Sequence, residues 1–177
     1  MEEPASVLQL RIRNKLILVE GKAKGQSGYF LFDTGASELI LNQAYFPQYE
    51  GHNPGFYFAD AIGNRNYYGY VHITQFGWGG LRREDFFAPR LDLLALEAAL
   101  GEKVLGIIGY DVLQHVDLEV DYYQGTLTLW RPGTASSLPA PDYSFGVQMD
   151  GHFPLLRAKL GEADGLLLAI DSGSSVD

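Results

Sequence analysis

The sequence predicts an all-β chain with one or two short helices. Apolar and polar residues alternate over most of it, 21 glycines and 13% aromatics suit strands joined by tight turns, and only two short stretches have helical character. A length of 177 residues allows one good-sized core, or one domain plus a piece of another.

In order, Leu8, Leu10 and Ile12 alternate with Gln9, Arg11 and Arg13, which predicts a half-buried strand. Leu16 to Ala23 and Tyr29 to Asp33 read as two more, joined by the Gly/Ser turn at Lys24 to Gly28. After a polar loop (Phe46 to Gly55), Phe56–Phe58 and Tyr67–Ile73 flank Ile62-Gly63-Asn64-Arg65-Asn66, a hairpin whose Gly and Asn tolerate positive φ. Gly77-Trp78-Gly79-Gly80 predicts another turn. Leu91 to Leu100 is built of helix formers and stopped by Gly101, and Tyr110 to His115 suits a helical turn. Between them Val104 to Gly109 is an apolar strand. Val116, Leu118 and Val120 alternate with acids expected to form a solvated face, and Tyr122–Gly125 turns the chain into Thr126–Trp130. Arg131 to Asp142 (RPGTASSLPAPD) has the composition of a linker.

A formal charge of −9 disfavours nucleic acid and anionic membrane surfaces as partners. With no cysteine, disulfides, zinc–thiolate sites and a thiol nucleophile are excluded, while the redox compartment stays open. No apolar run approaches the roughly 20 residues of a membrane span, and the acidic start MEEPASVLQL is unlike a signal peptide.

Beyond the linker the pattern restarts. Phe145, Val147 and Met149 alternate as Leu8, Leu10 and Ile12 do, and His152–Gly161 is similar to Lys15–Gly25. Phe30–Ser37 (FLFDTGAS) aligns without a gap to Leu168–Ser175 (LAIDSGSS), at an offset of 171 − 33 = 138. By composition, one such apolar-Asp-[Thr/Ser]-Gly-[Ala/Ser] run arises by chance in roughly one chain of this length in several hundred. Two copies with matching upstream strands are an internal repeat.

A lone carboxylate near pKa 4 is a poor base and no acid at neutral pH. Two carboxylates about 3 Å apart cannot both ionise, so one can take a proton from water while its protonated partner polarises a peptide carbonyl. Such a dyad needs two copies of one element facing each other, from a repeat or from a second subunit.

FDTGAS and IDSGSS resemble the active-site loops of aspartic peptidases, with the Thr/Ser alternation seen between the two lobes of pepsin-like enzymes. The first copy, with Leu105-Gly-Ile-Ile-Gly-Tyr-Asp-Val-Leu113, Val120-Asp-Tyr122 and Leu127-Thr-Leu129, is similar to the bacterial retropepsin-like group. The resemblance implies a closed β-barrel lobe over residues 1–130, a linker at 131–143, and the opening strands of a second, truncated lobe at 144–177. It implies an aspartic endopeptidase in which Asp33 is catalytic with Asp171, or with Asp33 of a second subunit. Thr34, Gly35, Ala36, Ser172 and Gly173 would form the loops, and the 105–109 strand would support the first. Ile62, Gly63 and Asn64 would lie in a flap over the substrate, with Tyr67 or Tyr68 lining the cleft. The expected partners are a peptide or protein substrate and a possible second copy; no cofactor or metal is expected.

Blander readings stand beside these. Asp33 in isolation suits a turn after a buried strand. His52, His72, His115 and His152 lack ligand spacing, and the serines after Asp171 have no nearby His. The alternative function is a non-catalytic module of the same fold that binds an extended peptide by strand addition or dimerises.

Overall fold

A computed structural model describes residues 6–47, 57–59, 65–67, 69–134 and 140–175. Its first part is a barrel. The strands are β1 (Ser6–Gln9), β2 (Arg11–Arg13), β3 (Leu16–Ala23), β4 (Gln26–Phe32), β5 (Ile40–Asn42), β6 (Tyr57–Ala59), β7 (Arg65–Tyr67), β8 (Gly69–Trp78) and β9 (Leu81–Leu91). Helix α1 (Leu94–Leu100), β10 (Val104–Ile108), α2 (Tyr110–Leu113), β11 (Asp117–Asp121) and β12 (Thr126–Trp130) follow. The order β3-β4-β10-β5-β9-β8 returns to β3, closing six strands into a barrel. Closure is possible because one edge of β3 serves two partners: Leu16–Leu18 pair with β2, and Lys22 and Ala23 with β8. The expected all-β fold with a closed barrel and two short helices is therefore present.

Strand β3 shows how the sequence fills it. Leu16, Ile17, Leu18 and Val19 are all buried, although a half-buried strand would alternate. Both faces are covered: Ile17 and Val19 point into the main core with Phe30, Phe32, Phe76 and Trp78, while Leu16 and Leu18 pack with Leu31, Leu93, Leu100 and Val104 under α1. Strand β10, between β4 and β5, divides its side chains the same way, Leu105 and Ile108 inward and Val104 outward.

Several expectations are corrected. The first strand breaks at Leu10, because β1 pairs with β12 and β2 with β3; the change of sheet leaves Ile12 exposed and lets Arg11 and Arg13 pair with Glu102. The helix begins at Leu94 rather than Leu91, since Leu91 pairs with Asn42 in the sheet and Asp92 Oδ1 accepts the Leu94 N–H at 2.9 Å. Gly77 and Trp78 belong to β8, and only Gly79 and Gly80 turn. The acids of β11 are half-buried rather than solvated: Glu119 accepts the Trp130 indole N–H and Asp117 the Gly133 N–H.

Strands β6 and β7 pair as a hairpin, but Ile62, Gly63, Asn64 and Tyr68 lie outside the described residues. No described helix is long and apolar enough to cross a membrane.

The remaining strands, β13 (Val147–Asp150), β14 (Phe153–Leu160) and β15 (Ala163–Ala169), form a separate three-stranded sheet. Its register repeats that of β2 on β3. Arg11, Ile12 and Arg13 face Leu18, Ile17 and Leu16; 137 residues on (148 − 11), Gln148, Met149 and Asp150 face Leu155, Pro154 and Phe153. The burial is not repeated: Phe145, Val147, Met149, Leu167 and Leu168 are all exposed.

Candidate active site

Strand β4 ends at Phe32 and hands the chain to Asp33, whose N–H donates to Ile108 O at 3.1 Å. The carboxylate then turns the loop on itself, Oδ1 accepting the N–H of Gly35 at 2.8 Å and of Ala36 at 3.1 Å. After β15 the chain does the same, and Asp171 Oδ1 accepts the Gly173 N–H at 2.9 Å. Aspartate favours such turns because its short side chain reaches the backbone two residues on.

The two loops are hydrogen-bonded to each other. Thr34 N–H donates to Ser172 Oγ at 3.0 Å, and Ser172 N–H donates to Thr34 Oγ1 at 3.0 Å. Each hydroxyl then donates to the residue two before the opposite one, Thr34 Oγ1 to Ile170 O at 2.6 Å and Ser172 Oγ to Phe32 O at 3.0 Å. The four bonds interchange under the 138-residue offset, so they follow a local twofold axis.

That axis brings the carboxylates against the opposing glycines. A Cβ on Gly35 would stand 2.7 Å from Asp171 Oδ1, and one on Gly173 would overlap the Asp33 carboxyl group. Neither glycine has a positive φ, so what requires glycine is close approach, not backbone conformation. Burial pushes the Asp33 carboxyl above the usual aspartate range. The Asp171 charge and a side-chain hydrogen bond with Asp171 push the same way, against the pull of the Gly35 and Ala36 amides.

The two loops differ in their backing. Behind the Asp33 loop, Gly109 lies so close that a Cβ there would meet Glu38 O at 2.5 Å and Ala36 O at 2.8 Å. Tyr110 N–H donates to Ala36 O, Asp111 N–H to Ser37 O, and Leu39 N–H to Asp111 Oδ1 at 2.6 Å. Asp111 in turn pairs with Arg83. Behind the Asp171 loop the chain is tied to its own sheet, Ile170 N–H donating to Pro154 O at 2.9 Å, and its other hydrogen-bonded neighbours named above belong to the first loop.

The structure thus brings together Asp33, Thr34, Gly35, Ser172, Gly173 and Asp171, with Ala36 holding the back of the loop. Sequence reasoning missed Asp111, Arg83 and Glu38 as parts of the same region. Asp111 had a signal, standing two residues past the Gly-apolar-apolar-Gly strand; Arg83 had none. Among the described residues no three His, Asp or Glu side chains are grouped to hold a metal ion.

No protein-family model matches the sequence, and no curated protein matches it. Among solved structures, the chain is similar to a retropepsin-like aspartic protease from Rickettsia conorii. The two share 16% identity with a TM-score of 0.42, over 73% of this chain and 95% of that one.

Proposed function

We propose that the protein is an aspartic endopeptidase whose catalytic pair is Asp33 and Asp171. The observation that carries the reading is the reciprocal Thr34–Ser172 hydrogen bonding, which sets the two Asp-[Thr/Ser]-Gly loops face to face. In the mechanism, one proton is shared by the two carboxyls. The ionised carboxylate removes a proton from water as its oxygen attacks the scissile carbonyl carbon, while the protonated carboxyl donates to the carbonyl oxygen. The tetrahedral intermediate then collapses, the C–N bond breaks, and the amine leaves with the proton first taken from water. The raised Asp33 carboxyl suits a pair that must keep one proton.

On this reading residues 1–130 form the first lobe, 131–143 a linker, and 144–177 the opening strands of a second. The hairpin of β6 and β7 would lead into a flap over a peptide substrate. The test is a pepstatin-sensitive peptidase assay on the 177-residue chain. Asp33→Asn should lower cleavage at least about a hundredfold; undiminished cleavage refutes the assignment.

One observation favours a second reading, a dimerising or peptide-binding module. The β13–β15 sheet exposes Val147, Met149, Leu167 and Leu168 and pairs with no further strand among the described residues. Tight peptide binding without turnover, or a stable dimer without cleavage, would support it, and a monomer that cuts peptides would exclude it.

A further inference from the structure

Arg83 lies on β9, far in sequence from both aspartate loops, yet its guanidinium reaches the back of the first. Its Nη1 pairs with Asp111 Oδ2, and its Cζ lies 4.0 Å over the Phe86 ring. The other Asp111 oxygen accepts Leu39 N–H at 2.6 Å, and the Asp111 N–H donates to Ser37 O at 3.1 Å. Glu38 stands between these two anchored residues. It is half-buried, and the charged groups acting on it are Asp111 from α2 and Arg83 from β9. One guanidinium therefore balances two carboxylates.

Removing the cation from such a group leaves like charges facing each other in partial burial. The cheapest relief is for Asp111 to turn toward solvent, which abandons the Leu39 N–H and frees the segment leading out of the Asp33 loop. An arginine fits here better than a lysine. Its planar fork can rest on the Phe86 ring while an edge donates to Asp111, whereas an ammonium is a compact, strongly hydrated charge.

We propose that Arg83 is a positioning residue for the Asp33 loop: it fixes Asp111 in the orientation that caps Leu39, and so sets where Asp33 stands. The effect on turnover rests on the peptidase reading above; the clamp itself concerns loop geometry and has its own readout.

The experiment compares Arg83→Met and Arg83→Lys in the 177-residue chain. Peptide hydrolysis gives kcat and KM, and the Leu39 backbone amide is followed by NMR across pH. In Arg83→Met, kcat falls about tenfold with KM held within about twofold, as displacement of a reacting group demands. The Leu39 amide resonance shifts, because Asp111 Oδ1 no longer accepts its N–H. Arg83→Lys restores part of kcat and of the Leu39 signal. The proposal is overturned if Arg83→Met lowers only thermal stability, leaving kcat and the Leu39 amide resonance unmoved. Should the wild-type chain cleave no peptide, the peptidase reading fails, and the Leu39 amide alone decides the clamp: moved supports it, unmoved rejects it.

Discussion

Replacing Thr34 by Val keeps the shape of the side chain and removes its hydroxyl. Two bonds go: Oγ1 no longer donates to Ile170 O, formerly at 2.6 Å, nor accepts Ser172 N–H, formerly at 3.0 Å. A typical net hydrogen bond contributes about 1 kcal/mol, and a buried group left unpaired costs about 1–3 kcal/mol. Because this site is only partly buried, water can reach the freed groups, and about 2 kcal/mol is the expected loss for the pair. At 1.4 kcal/mol per tenfold, that corresponds to about a thirtyfold rise in local opening. Amide hydrogen exchange reads it directly at Ser172. The decisive signal is the amide of residue 34, whose bond to Ser172 Oγ the substitution leaves untouched. If the loops dock as one cooperative unit, residue 34 loses protection together with Ser172. If Ser172 alone exchanges faster while residue 34 keeps its wild-type protection, the bonds act independently and the twofold coupling argued above is wrong.

Gly173→Ala places a methyl group on the Asp33 carboxyl and should undock the second loop; the Asp33 carboxyl resonance in NMR would then titrate at lower pH than in the wild type, having lost both burial and Asp171. Asp33→Asn should stabilise the fold at neutral pH. A carboxyl raised in the folded state favours folding below its unfolded pKa and loses that contribution as pH rises through the folded value. The advantage of the variant in denaturant midpoint should therefore shrink on acidification, and an advantage that grows toward low pH would contradict the raised value. Leu100→Ala should cost about 2–5 kcal/mol by cavity formation under α1 while leaving the exchange of Thr34 and Ser172 unchanged, since Leu100 belongs to the outer cluster.

Much of this was legible in the sequence because it is local. The DTGAS and DSGSS loops, the Val104–Ile108 strand and the Tyr122–Gly125 turn each declare themselves within a few residues. Strand β9 did not: LRREDFFAPRL alternates poorly, carries Pro89, and bends at Asp85, where φ is +53°. Strand β5 is three residues long and too short for a periodic signal. Ile12 was misplaced because a strand that changes sheets resets which face is inward, and nothing at Leu10 announces the change. The Arg83–Asp111 pair spans 28 residues and two elements, so only the barrel's closure reveals it.

The asymmetry between the two loops carries a consequence for how the site forms. The Asp33 loop is fixed from behind by Gly109, Tyr110 and Asp111, contacts made entirely within the barrel and involving none of residues 140–175. The Asp171 loop is fixed from the front, by Thr34 and Phe32. The first loop should therefore act as the template, with the second ordered by docking on it. Substitutions behind the first loop, at Asp111 or Gly109, should disturb both aspartates. Substitutions within β13–β15 should release Asp171 and leave the Asp33 turn, with its Gly35 and Ala36 hydrogen bonds, intact. Amide exchange at Gly35 and Gly173 separates the two cases: equal loss of protection at both glycines after a change in β15 would show that neither loop is the template.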